Sequence, residues 1–280
     1  MKSLSIGIVG LGYVGSACSE VFSQFFNVNT FDIQKNSTEN SLSDLALNSE
    51  IIFLCLPTPM NRDGSCNFDI IDQTLNEINQ ISSVSCVIKS TIPPGTTSFF
   101  QNKFKNLKIF FNPEFLTEAN FVNDFKNQDK IIIGSGDDNF SIIDEVYKES
   151  FPNIPIIHCS FEEAELVKYV INTFLAVKVS FANEIYSLCE NLDIDYSIIK
   201  SIVSKDKRIG SSHLSVPGPD GKFGFGGSCF PKDINSLLDV FEKNQLKSYI
   251  INSAWNRNIK IDRSEKDWEK LKGRAIVADE

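Results

Sequence analysis

One cysteine stands where its thiol could act as a nucleophile. Cys229 ends the glycine-rich stretch Gly-Phe-Gly-Gly-Ser, and Pro231 just after it suits the first turn of a helix. The positive end of a helix and the nearby Lys232 would both favour the thiolate, which is the reactive form of cysteine. A buried cysteine beside a glycine turn would give the same local pattern, so this segment alone leaves both interpretations open.

A second segment has the pattern of a dinucleotide-binding turn. The apolar run 4–10 leads into Gly-x-Gly-x-x-Gly at 10–15, and Asp32 follows at the end of the next apolar run. Such glycines let a cofactor pyrophosphate approach a helix N-terminus, while the acid binds the adenosine ribose and repels a 2′-phosphate. The sequence therefore favours NAD over NADP, with Lys35 as a further candidate contact. The turn residues expected at the cofactor are Gly10, Gly12, Tyr13, Val14 and Gly15.

The first half of the chain alternates short apolar runs with amphipathic segments. Nearly continuous Ile, Val and Phe runs are typical of strands in a sheet that is covered on both faces. The alternation predicts an α/β fold, a doubly wound Rossmann-like parallel sheet, over residues 1–159. The predicted strands are 4–10, 28–33, 50–56, 84–90, 107–112 and 130–134, with helices at 13–25, 67–80 and 95–104.

The pattern becomes helical after residue 160. Ser160 and Glu163 form a capping-box sequence, and apolar residues then recur at helical spacing up to residue 191. So long a helix is expected to connect to a second domain or to pack against its copy in a homodimer. The predicted all-helical domain spans 160–260, with helices at 195–204, 231–243 and 245–260, a Gly- and Pro-rich loop at 210–227 and a charged C-terminal tail at 261–280.

Composition excludes several classes of protein. The net charge of −9 leaves no basic surplus for nucleic acid. No apolar run approaches the ~18 residues of a membrane-spanning helix, and no cleavable signal sequence is evident. The seven cysteines contain no Cys-x-x-Cys, and the two histidines have no companions at metal-ligand spacing. These observations predict a cytoplasmic protein without a metal site.

Ordered motifs along the chain carry a family resemblance. They are GLGYVG (10–15), LPTP (56–59), KSTIPPGTT (89–97), NPEFLTEAN (112–120), the pair Lys168 and Asn172, KRIG (207–210) and FGFGGSCFPKD (223–233). Over nearly all of residues 1–260 the sequence resembles the UDP-glucose/GDP-mannose dehydrogenase family. The resemblance implies an NAD-dependent enzyme that oxidises the C6 hydroxyl of a nucleotide sugar twice, with UDP-glucose as the leading substrate and UDP-glucuronate as its product.

The resemblance also assigns roles to individual residues. Cys229 would attack the intermediate aldehyde, and the thiohemiacetal would become a thioester that water hydrolyses. Lys168 and Asn172, four residues apart on one helical face, would stabilise an oxyanion.

Three further residues would complete the chemistry. Asp233 and Thr91 would handle the alcohol proton through a water molecule, and Glu114 would activate the hydrolytic water. The implied cofactor contacts also include Pro57, Thr58, Thr91, Glu118 and Lys232. The implied substrate contacts are Glu114, Phe115, Leu116, Lys168, Asn172, Arg208, Phe223, Gly224, Phe225 and Gly226. Arg208 resembles a residue that contacts the nucleotide across a dimer interface, and an ordinary surface arginine is the alternative.

The resemblance leaves two other functions open. Members of the family continue into a third domain, so we expect either a short family form that lacks it or a truncated chain. A two-electron β-hydroxyacid dehydrogenase would also have a Rossmann domain, a long helix and the Lys168–Asn172 pair, but would need no cysteine. A non-catalytic NAD-binding protein is the third possibility.

Overall fold

Two compact units make up the protein. In a computed structural model, which describes residues 4–278, the first unit comprises the chain up to Thr58 together with Phe68–Lys168. The second comprises Pro59–Asn67 and the chain from Tyr169 onward. This division falls inside the long helix, whereas the predicted division at 159/160 follows the change in sequence pattern.

The first unit is built on a seven-stranded sheet in the order β2-β1-β3-β4-β5-β6-β7. Its strands are β1 (Ser5–Val9), β2 (Asn27–Phe31), β3 (Ile51–Leu54), β4 (Ser85–Ile88), β5 (Lys108–Phe111), β6 (Ile131–Gly134) and β7 (Ile156–Cys159). Neighbouring strands are parallel except β5 and β6, which pair antiparallel at Phe111 and Gly134. The order reverses between β1 and β3, where ligands of such sheets bind outside the carboxyl ends of the strands.

Helices cover both faces of this sheet. They are α1 (Tyr13–Phe22), α2 (Leu42–Leu47), α3 (Asp69–Ile81), α4 (Thr96–Lys103), α5 (Phe121–Lys126) and α6 (Ser141–Ser150), before α7 (Phe161–Asn191). Every residue of β3 is buried, and two separate apolar clusters lie on the faces of the sheet. The predicted doubly wound Rossmann-like fold is therefore confirmed.

The second unit is mainly helical. Its part of α7 is followed by α8 (Tyr196–Val203), α9 (Phe230–Lys243), α10 (Tyr249–Arg257), a π-helical turn (Asn258–Asp262) and a 3₁₀ turn (Asp267–Lys270). The C-terminal segment is packed into this unit, because Arg263 and Trp268 are each only 1% exposed. Among residues 4–278, no helix is both long enough and apolar enough to cross a bilayer.

Candidate functional site

The glycine turn after β1 has a shape that only glycine permits at two positions. Gly10 has a φ of +88°, and a Cβ there would lie 2.5 Å from the Cys55 carbonyl oxygen. A Cβ on Gly15 would lie 1.8 Å from the Gly10 carbonyl oxygen. Both glycines therefore let α1 start immediately beside the ends of β1 and β3.

The middle glycine leaves open space at the start of α1. A Cβ on Gly12 would meet nothing within 4 Å, and Gly12 is the N-cap of the helix. The backbone here can be approached closely, and the first-turn N–H groups of a helix bind phosphate oxygens. The turn therefore fits the pyrophosphate of a dinucleotide.

Asp32 is fixed beside this turn. Its carboxylate accepts hydrogen bonds from the backbone N–H groups of Leu11 (2.6 Å), Gln34 (2.7 Å) and Lys35 (2.9 Å). Burial opposes ionisation, but these hydrogen bonds and the Lys35 charge hold the pKa of Asp32 below its ordinary value. The Lys35 Nζ donates to the Leu11 carbonyl, so both predicted residues border the glycine turn. An ionised acid here suits ribose hydroxyls and repels a 2′-phosphate.

The other predicted cofactor contacts of the first unit lie on α1 and on the loops after β3 and β4. Tyr13 is 41% exposed and its ring lies 5.3 Å from that of Phe121, while Val14 packs against an apolar cluster. Pro57 is exposed, and the buried Thr58 donates its hydroxyl to the carbonyl of the buried Thr91 at 2.8 Å. The Thr58–Thr91 bond ties the two loops together.

Lys168 and Glu114 form a buried ion pair. The Lys168 Nζ lies 3.0 Å from Glu114 Oε1, and the two side chains are only 4% and 13% exposed. Glu114 Oε2 accepts the Leu116 N–H at 2.7 Å, and the Lys168 ammonium lies 5.3 Å from the centre of the Phe115 ring. Burial works against ionisation, yet the Lys168 charge and the Leu116 N–H lower the pKa of Glu114. Four predicted residues thus meet at one point, while Glu118 is exposed nearby in sequence.

In the second unit, Cys229 is exposed and is the N-cap residue of α9. Its carbonyl accepts the Asp233 N–H at 2.9 Å, and Pro231 lies in the first turn of the helix, as predicted. A thiol at this position experiences the positive end of a 14-residue helix, which favours the thiolate.

Behind the cysteine, Asp233 is 1% exposed and held on both carboxylate oxygens. Lys232 Nζ lies 2.5 Å from Oδ1, and the Asn172 amide donates to Oδ2 at 2.6 Å. Burial disfavours the Lys232 cation, but Asp233 and the nearby thiols of Cys229 and Cys66 raise its pKa. Lys232 is therefore ion-paired with Asp233, a partner that the sequence analysis did not assign to it.

Two asparagines that the sequence analysis missed hold the loop before α9, residues 210–229, which we call the cysteine loop. Asn258, fully buried, accepts the Phe225 N–H at 2.8 Å and donates to the Phe225 carbonyl at 2.9 Å. Asn183 accepts the Gly224 N–H at 3.1 Å. Asn183 lies eleven residues after Asn172, which is three helical turns, so the polar face of α7 was a signal that could have identified it.

The remaining substrate candidates differ in exposure. Phe225 is buried, and Phe223 is 42% exposed. Gly226 lies against Arg263, because a Cβ added to Gly226 would be 2.6 Å from the Arg263 Nη1 atom. The Arg208 side chain is 88% exposed and pairs with Asp206 at 2.6 Å. Within residues 4–278, no group of three or more His, Cys, Asp or Glu residues has an arrangement that could hold a metal ion.

Comparison with known proteins places both units. Residues 29–151 match the sequence model of the UDP-glucose/GDP-mannose dehydrogenase family NAD-binding domain, and residues 162–260 match that of its central domain. A UDP-glucose 6-dehydrogenase of Rickettsia bellii is 35% identical over 219 residues, which are 75% of this chain and 49% of that protein. The chain spans about half the length of several such curated relatives.

Solved structures show the same fold. A UDP-glucose dehydrogenase from Pyrobaculum islandicum superposes with a TM-score of 0.82 at 28% identity, covering 91% of this chain and 68% of that one. A Mycobacterium tuberculosis 3-hydroxyisobutyrate dehydrogenase shares the fold alone, with a TM-score of 0.75 at 16% identity over 95% of this chain and 96% of that one. The two matched domains, their order and the glycine turn that fits a dinucleotide show that this chain belongs to the UDP-glucose/GDP-mannose dehydrogenase family and that its first unit is the NAD-binding domain.

Proposed function

We propose that the protein oxidises the C6 hydroxyl of a nucleotide sugar to a carboxylate, with UDP-glucose as the preferred substrate. The names of the Rickettsia and Pyrobaculum relatives support this substrate class. The observation that carries the proposal is Cys229, an exposed thiol at the N-terminus of α9. Asp233 follows one helical turn later and is held by the Asn172 amide.

A covalent route follows from that thiol. The first oxidation converts the alcohol to an aldehyde, and the Cys229 thiolate adds to the carbonyl carbon to give a thiohemiacetal. The second oxidation gives a thioester, and water then cleaves the C–S bond to release the carboxylate and the thiol. NAD, when bound, accepts one hydride in each oxidation, so two NADH form per product. The covalent bond keeps the reactive aldehyde on the protein between the two steps.

The buried carboxylates suit the proton transfers of this route. Lys168 keeps Glu114 ionised, which favours Glu114 as the base for the water that cleaves the thioester. Lys168 itself can stabilise an oxyanion by charge, and Asn172 can do so by hydrogen bonding. Asp233 and Thr91 are the proposed carriers of the alcohol proton.

The decisive experiment counts NADH against product. A panel of UDP-glucose, GDP-mannose and UDP-N-acetylhexosamines is incubated with NAD, absorbance is followed at 340 nm, and the uronate is quantified. Two NADH per uronate are expected from the wild-type protein and from Cys159→Ser, whose sulfur lies on β7. Cys229→Ser should release no uronate. Full turnover by Cys229→Ser would refute the covalent route.

The same assay separates the other two functions. One NADH per product, with Cys229 dispensable, would identify a β-hydroxyacid dehydrogenase, whose similarity here extends to the fold alone. NAD binding without NADH formation from any nucleotide sugar would identify a non-catalytic binding protein.

We also propose that α7 mediates a homodimer. Four of its large apolar side chains are more than half exposed, namely Val170, Phe174, Phe181 and Leu188. At 3.6 residues per turn these positions fall within a sector of about 40°. Such a stripe on a long helix is suited to packing against the same stripe of a second copy.

A further inference from the structure

The geometry points to Glu165 as a positioning residue. Its carboxylate anchors the loop between β4 and α4, residues 89–95, and so fixes the backbone that presents Thr91. The catalytic consequence rests on the function proposed above, while the anchoring itself can be tested without any substrate.

The hydrogen bonds of Glu165 are made with the last residue of this loop and with the first turn of α4. Oε2 accepts the Gly95 N–H at 2.7 Å, and Oε1 accepts the Thr97 N–H at 2.7 Å and the Thr97 hydroxyl at 2.6 Å. Glu165 is fully buried, so these hydrogen bonds are shielded from water. Burial raises the pKa of Glu165 to about 7, although these three donors act against the rise, so the ionised carboxylate that accepts all three strong hydrogen bonds predominates above that pH.

The loop needs an external anchor because of its own sequence. Pro93 and Pro94 have no N–H to donate, and Gly95 has a φ of +91°, a region that side-chain-bearing residues rarely adopt. At the start of α4, the Thr96 hydroxyl donates to the Pro93 carbonyl at 2.6 Å. The shape therefore depends on what holds its two ends.

The start of the loop is held by the loop that follows β3. The Thr58 hydroxyl donates to the Thr91 carbonyl at 2.8 Å, and the Ser90 hydroxyl donates to the Leu56 carbonyl at 2.6 Å. Glu165 supplies the matching restraint at the other end. The Thr91 segment is thus fixed on both sides.

Glu165 also links this loop to the loop after β5 that carries Glu114, in the same unit. It lies three residues before Lys168 on α7, and Lys168 holds Glu114. One turn of α7 therefore supports the loop of Thr91 and the loop of Glu114 together. A small displacement of that turn would disturb two proposed catalytic residues at once.

The test compares Glu165→Gln with Glu162→Gln. The glutamine is nearly isosteric, but its NH₂ group would face the Gly95 or Thr97 N–H, so at least one buried donor loses its acceptor. Glu162 is an exposed acid on the same helix that accepts a hydrogen bond from Ser98 of α4. At a pH well above 7, where Glu165 is ionised, its substitution removes the same charge. The control therefore separates anchoring of the loop from a change in charge on α7.

Amide hydrogen exchange of residues 91–103 is the primary measurement. Glu165→Gln should speed exchange there by about ten- to hundred-fold, while Glu162→Gln changes it by less than about threefold. In the nucleotide-sugar assay, kcat should fall about tenfold or more and the KM for NAD should rise, because Thr91 is also an expected cofactor contact, while the KM for the nucleotide sugar changes less than about twofold. If Glu165→Gln unfolds the whole unit, the experiment uses Thr97→Val instead, which removes only the hydroxyl that donates to Glu165. Thr97→Ser, which keeps the hydroxyl, is then the control.

The outcomes are distinguishable. Exchange no faster in Glu165→Gln than in Glu162→Gln overturns the inference whatever the activity. Faster exchange with a kcat equal to that of the control overturns the positioning role. A wild-type protein that oxidises no nucleotide sugar refutes the proposed function, and the exchange result still decides whether Glu165 anchors the loop.

Discussion

A buried carboxylate acts as a base at neutral pH only if its environment keeps it ionised. Glu114 meets this condition because Lys168 lies 3.0 Å away and the Leu116 N–H binds its other oxygen. The Lys168 side chain is only 4% exposed, so water could not replace Glu114 as a partner for its charge. The pair is therefore important for stability as well as for chemistry.

Lys168→Met tests both aspects of this pair. Breaking a buried ion pair from one side leaves the other charge uncompensated and should lower the free energy of unfolding by about 3–5 kcal/mol. Loss of the cation should lower kcat by about a hundredfold or more. Lys130→Met is the matched control, because Lys130 also lies over Phe115, at 5.6 Å, but pairs at the surface with Asp129. Its effect on the free energy of unfolding should stay within about 1 kcal/mol.

The stability difference should depend on pH with a definite sign. Lys168 lowers the pKa of Glu114 in the folded state, so its contribution is present above the unfolded pKa, about 4.3, and is lost as the pH falls through the lower folded value. Urea unfolding of wild type and Lys168→Met should therefore give curves that separate most at neutral pH and approach each other below pH 4. A gap that widens in acid would contradict this account of Glu114.

At the scale of elements, the cysteine loop is specified by contacts that leave room only for glycine. Gly224 has a φ of +65°, and a Cβ there would lie 2.3 Å from Asn258 Oδ1 and 2.9 Å from Asp262 Cβ. Gly221, in the same loop, has a φ of +74° but nothing within 4 Å of a Cβ. A side chain at Gly221 would therefore meet only backbone strain, whereas one at Gly224 would also collide with Asn258 and Asp262.

Alanine at each position should give different outcomes. Gly221→Ala should lower the free energy of unfolding by about 1–2 kcal/mol, the cost of a left-handed backbone with a side chain. Gly224→Ala should cost clearly more and should also alter the rate of Cys229 alkylation by iodoacetamide, because the Asn258 clamp must shift. Urea titrations and timed alkylation measure the two effects. Equal behaviour of the two variants would show that the clamp does not set the loop.

The sequence was sufficient for most of the sheet because five of its strands, β1, β3, β4, β5 and β6, are buried over most of their length. The six predicted strands all occur, since their continuous apolar runs match burial on both faces. β7 was missed because it is a short edge strand, in which Ile157 is 46% exposed. The predicted helix at 245–260 is shorter, since α10 begins at Tyr249 and the helix changes to π geometry at Asn258.

The candidate site was predictable where the chemistry has a local motif. The glycine turn and Cys229 could be proposed because each depends on neighbours in sequence, and Asp32 because it follows the strand after that turn. Asn258 and Glu165 could not, because each binds backbone groups that are distant in sequence and no local spacing marks the pairing. Side chains that hold loops in place are therefore visible only once the chain has folded.

At the scale of the whole molecule, the length and exposure of α7 are the relevant features. The helix has 31 residues and carries Lys168 and Asn172, so it contributes to the candidate groups of both units. It also exposes the apolar stripe of Val170, Phe174, Phe181 and Leu188. If the proposed dimer forms through this stripe, the same helix would carry both the interface and the candidate site residues.

The proposed dimer is tested by charging the stripe. Phe181→Asp places a carboxylate on a 61% exposed position, so the single chain should still fold. In a helix–helix interface the same carboxylate would lose its water, which should prevent association. Sedimentation equilibrium should give twice the 31.4 kDa chain mass for wild type and the single-chain mass for Phe181→Asp, with unchanged circular dichroism. Ile250→Asp, at a 72% exposed position on α10, should remain dimeric. A monomeric wild type, or dissociation by Ile250→Asp but not by Phe181→Asp, would rule out α7 as the interface.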